Sequence, residues 1–136
     1  MPGGSRPGGL SILIVSDDPH VRDEARYSFP ADANVSLATD SRAAWAKLHQ
    51  GAFSVVLVDM QTGSAGGYAL ARDMSQSPRL KEVPVVMLLE RPQDAWLARA
   101  AGAAIYRVKP LPPGELARAA LVAEARSEAG PEAQTS

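Results

Sequence analysis

Short apolar runs alternate with longer amphipathic stretches along most of this chain. Five runs are mostly apolar over four to seven residues, which is typical of strands buried on both faces of a sheet. The run at 83–89 is entirely apolar, so we expect it to be central, with Pro84 at its beginning because a proline inside a central strand removes a ladder hydrogen bond. The predicted strands are Ser11–Val15, Val35–Ala38, Phe53–Val58, Val83–Leu89 and Ala104–Val108.

Helical spacing of apolar residues follows each predicted strand. After Pro19, which suits the first turn of a helix, Val21, Ala25 and Phe29 recur every four residues. Strands that alternate with helices predict an α/β fold, in which helices cover both faces of a parallel sheet. The later helices are predicted from Asp40 or Ser41 to Gly51, around Leu70 and Met74, from about Pro92 to Ala101, and from Pro112 to Arg126.

The two ends of the chain lack this pattern. Residues 1–9 contain four glycines and two prolines, and we expect them to be a disordered N-terminal segment. Residues 127–136 are polar and are predicted to be a disordered C-terminal tail. The 136-residue chain is long enough for one domain, which we place at residues 10–126.

Composition and charge narrow the possible functions. A formal net charge of −1 gives no electrostatic reason to expect a nucleic-acid partner. The absence of cysteine excludes disulfides and thiolate metal sites. Nothing resembles a signal peptide, and no run approaches the roughly 18 apolar residues of a membrane-spanning helix. We therefore expect a cytoplasmic protein with no membrane partner.

Charged residues follow three of the predicted strands. Asp17 and Asp18 follow the first strand, Asp59 the third, and Lys109 the fifth. A single aspartate after a strand is most often a turn residue or helix cap. Strand carboxyl ends in a parallel sheet share one edge, however, and ligands bind there. Three carboxylates at that edge need a counter-charge such as Mg²⁺, and a lysine beside them suits a phosphate.

The residues around these charges resemble the receiver domain of response regulators in bacterial two-component signalling. The resemblance rests on Ile14–Asp18, Val56–Met60, Gly102–Ala103 and Tyr106–Pro110, and it extends over about residues 10–126. It implies a flavodoxin-like (βα)5 three-layer sandwich, with a five-stranded parallel sheet in the order 2-1-3-4-5. It also implies a cis peptide bond between Lys109 and Pro110.

The same resemblance assigns roles to individual residues. Asp59 would accept a phosphoryl group from a sensor histidine kinase or a phosphotransfer protein. Mg²⁺ would be the cofactor, and Asp59 would be one of its ligands. Asp18 would also bind the ion directly, Asp17 would act through a bound water, and Gln61 would contribute its backbone carbonyl. Lys109 would pair with the phosphoryl oxygens. Positioning and charge neutralisation are what phosphoryl transfer chiefly requires.

Leu89 is the main departure from the family pattern. Receivers end the fourth strand with Thr or Ser, whose hydroxyl binds the phosphoryl group and is coupled to an aromatic residue on the fifth strand, here Tyr106. Leucine donates no hydrogen bond, and Glu90 adds a negative charge nearby. We therefore expect weakened switching. The alternative is a pseudo-receiver, a module that binds protein partners without being phosphorylated.

The output is expected to be a protein–protein contact, because no further domain follows in this sequence. Trp96 lies on the predicted fourth helix, and its position leaves a core role and an interface role equally open. A downstream protein target is predicted, and a homodimer through the fourth and fifth helices is possible. An enzyme is not expected: aspartyl phosphatases of the haloacid-dehalogenase type place a second aspartate two residues after the first, where this chain has Gln61.

Overall fold

A computed structural model describes residues 10–60 and 66–129. Its five strands form one parallel sheet in the order β2-β1-β3-β4-β5, as predicted. Each strand lies within one or two residues of its predicted bounds, and Asp59 is the last residue of β3 rather than the first residue after it. The strands are β1 Ser11–Val15, β2 Asn34–Ala38, β3 Val55–Asp59, β4 Val85–Leu89 and β5 Ile105–Val108.

Helices cover both faces of the sheet. The buried residues of α1 and α5 join one apolar cluster, and those of α2, α3 and α4 join a second cluster on the opposite face. This arrangement confirms the flavodoxin-like three-layer prediction. The helices are α1 Pro19–Tyr27, α2 Ser41–Gln50, α3 Gly66–Ser75, α4 Ala95–Ala100, which follows a 3₁₀ turn at Pro92–Asp94, and α5 Glu115–Ala129.

The strand alternation explains how β3 contributes to both cores. Val55 and Leu57 contact the cluster of α1 and α5, whereas Val56 and Val58 contact the cluster of α2–α4. Every residue of β3 and β4 is buried. Both strands are therefore held rigidly from two sides, and rigid strands fix the position of the residues at their carboxyl ends.

Two helices differ from their predicted bounds. The segment predicted as one helix from Pro92 begins as a 3₁₀ turn, in which Arg91 forms an ion pair with Asp94 at 3.0 Å. α5 begins at Glu115, after a turn in which the Glu115 N–H donates to the carbonyl of Pro112. It continues to Ala129, so the first three residues of the predicted tail are helical. The rest of that tail, and residues 1–9, lie outside the described residues.

Gly67 allows the first turn of α3 to lie directly on the end of β3. A Cβ atom at this position would overlap the carbonyl oxygen of Asp59 and would lie 2.5 Å from Cγ1 of Val58. The backbone N–H of Gly67 also donates to the carbonyl of Met60 at 3.1 Å. Any larger residue would have to move α3 away from the strand, so this contact helps to fix the backbone of Asp59.

Candidate functional site

Lys109 is the centre of the charged cluster at the carboxyl edge of the sheet. Its Nζ lies 2.8 Å from Oδ2 of Asp59, 3.0 Å from Oδ2 of Asp18 and 2.9 Å from Oε2 of Glu90. The strand order explains this convergence, because Lys109 follows β5 while its backbone N–H donates to the carbonyl of Leu89 on the neighbouring β4. The peptide bond from Lys109 to Pro110 is cis, as the resemblance implied.

Asp59 is an almost completely buried carboxylate, with 1% of its surface exposed. Its Oδ2 accepts hydrogen bonds from Lys109 Nζ at 2.8 Å and from Ser16 Oγ at 2.9 Å. A buried charge is tolerated only when it is paired and hydrogen-bonded, and these two donors meet that requirement. The carboxylate is therefore held in a defined orientation at the end of β3.

Asp18 is both a helix cap and a member of the charged cluster. Its Oδ1 accepts from the backbone N–H of His20 at 2.9 Å, which caps the start of α1, while its Oδ2 accepts from Lys109. Burial raises the pKa of Asp18, but the hydrogen bonds from Lys109 and from the His20 N–H outweigh it and hold the pKa below its ordinary value. Asp18 therefore stays anionic in weakly acidic solution.

Lys109 shows the complementary effect. Burial lowers the pKa of its ammonium, but hydrogen bonds to Asp59, Glu90 and Asp18 outweigh burial and raise the pKa above its ordinary value. The lysine is thus a permanent cation near neutral pH. A fixed positive charge beside two aspartates can hold the oxygens of an incoming phosphoryl group.

Ser16 is a site residue that the sequence analysis did not single out. It is fully buried at the end of β1, donates to Asp59 and accepts a hydrogen bond at 3.0 Å from the backbone N–H of Asp18. The sequence does carry a signal for it, since a serine between a run of buried apolar residues and two aspartates is a polar group in need of a partner. Glu90 was noted only as a nearby charge, and the structure shows that it contacts Lys109 directly.

The residues predicted to bind a metal are only partly brought together. Within residues 10–60 and 66–129, no three His, Asp or Glu side chains form a group that could hold a metal ion. Asp18 and Asp59 share Lys109 as a bridge, Asp17 is exposed, and Gln61 lies outside the described residues. Mg²⁺ commonly takes one or two carboxylates and completes its shell with waters and phosphate oxygens. The oxygen donors of Asp18 and Asp59 fit that chemistry.

The predicted switch residues lie on the face of the sheet covered by α2–α4. Leu89 is fully buried in that apolar cluster, and Tyr106 is half-buried against the same cluster. Trp96 is 61% exposed, which excludes the core alternative for this residue. An interface role for Trp96 stays a prediction.

An open cleft gives solvent access to the charged cluster. It has a volume of about 560 Å³ and is lined by Asp18, Glu90 and Lys109 and by residues of α1 that include Glu24 and Tyr27. Tyr27 is 82% exposed at the end of α1. The cleft is thus a path by which a phosphorylated group could reach Lys109 from outside.

The chain belongs to the response regulator receiver domain family, since the model of that family matches residues 12–121. Receiver domains are signalling modules of two-component systems. None of the helices in the described part of the chain is long and apolar enough to cross a membrane.

Individual relatives agree with this assignment. A gliding motility regulatory protein of Myxococcus xanthus is 31% identical over 103 residues, which are 74% of this chain but only 13% of that much longer protein. A putative response regulator from Chloroflexus aurantiacus superposes with a TM-score of 0.80 at 26% identity, covering 87% of this chain and 99% of the other. The receiver domain of a Pseudomonas aeruginosa sensor histidine kinase, whose structure has a magnesium ion coordinated in the active-site cleft, shares the fold at 23% identity and a TM-score of 0.73, covering 86% and 98% of the two chains.

The charge balance at Lys109 predicts a pH-dependent loss of stability in Lys109→Met. At neutral pH the free energy of unfolding should fall by about 3 kcal/mol, because the buried Asp59 and its two acidic neighbours lose their counter-charge. The pKa of Asp18 is lowered in the folded protein. Its pairing with Lys109 therefore stabilises the fold fully above pH 3.8, the ordinary pKa of the group, and this stabilisation is lost as the pH falls through the lower pKa of the folded state. The raised pKa of Lys109 keeps its contribution intact up to at least 10.5.

Urea denaturation of both proteins across this pH range measures the effect. The loss should be constant between weakly acidic and weakly alkaline solution and should shrink below pH 3.8, as Asp18 becomes protonated and its pairing with Lys109 is lost. Lys81→Met, which removes an exposed lysine, is the matched control and should change stability little. An equal loss in the two variants would contradict the proposed charge balance.

Proposed function

We propose that the protein is a response regulator that accepts a phosphoryl group on Asp59 and signals through protein–protein contacts. The observation that carries this proposal is the bridge from Lys109 to Asp59 and Asp18, which joins a potential nucleophile, a cation and a second acid at one sheet edge. The phosphoryl donor is proposed to be a sensor histidine kinase or a phosphotransfer protein. The open cleft beside Lys109 leaves room for a phosphohistidine to approach.

The proposed reaction requires few groups. A carboxylate oxygen of Asp59 attacks phosphorus, the bond between phosphorus and the donor breaks, and the leaving group keeps the electron pair. Lys109 holds the phosphoryl oxygens and Ser16 fixes the carboxylate. Mg²⁺ would neutralise charge on the transferred group. Asp18 and Asp59 would bind the ion, Asp17 would act through a water, and Gln61 would contribute its carbonyl. The magnesium ion described for the Pseudomonas aeruginosa receiver supports this cofactor.

Weakened switching follows from Leu89 and Glu90. Leu89 lies in the apolar cluster and has no hydroxyl to bind the phosphoryl group, so Tyr106 lacks the partner whose movement it would follow. Glu90 pairs with Lys109 at 2.9 Å and competes with phosphoryl oxygens for the same ammonium. A modification shifts a conformational equilibrium only through contacts that differ between the two states, and the missing hydroxyl at Leu89 removes one such contact.

The proposed output surface lies on α4 and α5. Large apolar side chains are exposed on both helices, which is a feature of surfaces that bind proteins. The surface could contact a downstream target or a second copy of the chain. These residues are Trp96, 61% exposed, Leu121, 48% exposed, and Val122, 42% exposed.

A second candidate function is a pseudo-receiver that binds partners without phosphorylation. The ion pair between Glu90 and Lys109 and the apolar environment of Leu89 favour it, because both remove contacts that a phosphoryl group would use. The two candidates differ in one measurable respect. The affinity for a partner should be unchanged in Asp59→Ala if the protein is a pseudo-receiver, and it should respond to phosphorylation of Asp59 if it is a regulator.

Asp59→Asn should abolish phosphorylation. Incubation with radiolabelled acetyl phosphate and Mg²⁺ should label the wild-type chain and leave Asp59→Asn unlabelled, because an amide oxygen is a poor nucleophile and carries no charge. Asp73→Asn, which changes an exposed acid on α3, should keep wild-type labelling. Equal labelling of Asp59→Asn and the wild type would refute the assignment of the acceptor.

The pair of variants Leu89→Thr and Leu89→Val isolates the missing hydroxyl. Both lose similar packing at β4, whereas only threonine adds a hydrogen-bond donor. We expect acetyl phosphate to label Leu89→Thr about tenfold faster than Leu89→Val. This factor is smaller than the roughly hundredfold or greater change in rate that one hydrogen-bond donor makes in acyl transfer, because Lys109 also contacts the phosphoryl group. The chemical shift of the Trp96 indole N–H should also move further on phosphorylation of the threonine variant. Identical behaviour of the two variants would show that the absent hydroxyl does not limit this site.

A further inference from the structure

The hydroxyl of Ser16 points at the carboxylate of Asp59. Its Oγ lies 2.9 Å from Oδ2 of Asp59 and 3.0 Å from the backbone nitrogen of Asp18. A backbone N–H can only donate, so Oγ accepts from Asp18 and its own proton is directed to Asp59. Because Ser16 is fully buried, water does not compete for this hydrogen bond. Ser16 thus joins β1 to the acceptor on β3.

We propose that Ser16 sets the lifetime of phosphorylated Asp59 by stabilising the carboxylate as it leaves phosphorus. This inference rests on the proposed function, since it concerns hydrolysis of the aspartyl phosphate formed there. Leu89 provides no hydrogen-bond donor to the phosphoryl oxygens, whereas Ser16 provides one to the carboxylate of Asp59. The site is therefore built more to release the phosphoryl group than to retain it.

Hydrolysis of the aspartyl phosphate can be written with water as the co-reactant. The water oxygen forms a bond to phosphorus, the bond between phosphorus and the Asp59 oxygen breaks, and its electron pair returns to the carboxylate. The water loses a proton to solvent, and inorganic phosphate leaves. With phosphorus bonded to Oδ1 of Asp59, Oδ2 presents only a neutral carbonyl to Ser16, whereas the departing carboxylate is charged and accepts a stronger hydrogen bond. The bond from Ser16 therefore strengthens along the reaction, which lowers the barrier.

Formation and hydrolysis of the aspartyl phosphate should respond unequally to Ser16. Phosphoryl transfer has a loose transition state, in which the bond to the attacking group is little formed and the bond to the leaving group is largely broken. Asp59 is the attacking group when it is phosphorylated, so it keeps most of its charge and the bond from Ser16 changes little. In hydrolysis Asp59 is the leaving group, so most of the gain from Ser16 is realised. A loss of structural integrity would instead slow labelling.

Ser16→Ala separates the two steps. The full chain is labelled with acetyl phosphate and Mg²⁺, the donor is removed, and loss of label is followed over time. The aspartyl phosphate should last about tenfold longer than in the wild type, the factor expected for one hydrogen bond to a charged group. The initial rate of labelling should change by less than about threefold. Ser16→Thr keeps a hydroxyl and should restore the wild-type lifetime.

Ser54→Ala is the matched control. Its hydroxyl also connects β1 to β3, accepting from the backbone N–H of Ser11 at 3.2 Å, but at the opposite end of these strands. An unchanged lifetime in Ser16→Ala, or equal lengthening in Ser54→Ala, would overturn the inference about Ser16 while leaving the proposed function in place. If the wild type takes up no label, both are overturned. Should Ser16→Ala not fold, Ser16→Cys keeps the shape with a weaker donor, and a wild-type lifetime in that variant would count against the inference.

Discussion

The burial of the Asp59 carboxylate is the constraint on which the rest of the site depends. A charge with 1% of its surface exposed must be neutralised, and Lys109 does so from the end of a strand two positions away in the sheet. That pairing is possible only because β4 lies between β3 and β5 and is buried on both faces. The fold therefore brings the charges together, and their pairing offsets the free-energy cost of burying the Asp59 carboxylate. The same ammonium also holds Asp18 and Glu90, so any ligand that binds Lys109 must compete with three carboxylates.

Much of the fold could be predicted from the sequence, because buried strands and amphipathic helices leave strong local patterns. The meeting of Asp18, Asp59 and Lys109 at one edge of the sheet was also predictable, since each stands at or next to a strand end. Their functional roles and that of Asp17 stay predictions. What the pattern did not reveal were contacts that depend on packing between distant segments. Ser16 and Asp59 are 43 residues apart in sequence, and their hydrogen bond exists only because β1 pairs with β3.

Two departures from the family pattern act together with the hydroxyl of Ser16. Leu89 leaves the phosphoryl side of the site without a hydroxyl, Glu90 pairs with the ammonium of Lys109, and Ser16 donates a hydrogen bond to the carboxylate of Asp59. Each of these three features favours the free carboxylate over the aspartyl phosphate. A protein with this balance would hold its phosphoryl group briefly and transmit the signal weakly to α4 and α5, unless a partner binds and stabilises the phosphorylated form.

We propose that the cluster around Lys109 is a working phosphoryl site. Titration with Mg²⁺, followed by beryllofluoride as a mimic of the aspartyl phosphate, tests it most directly when backbone amide shifts are recorded. We expect Mg²⁺ to shift the amides of Asp18 and Asp59, and beryllofluoride then to shift those of Lys109 and Glu90, with smaller changes at Trp96. If neither ligand moves these amides at millimolar concentrations, the cluster is a structural ion-pair network and the protein is a pseudo-receiver.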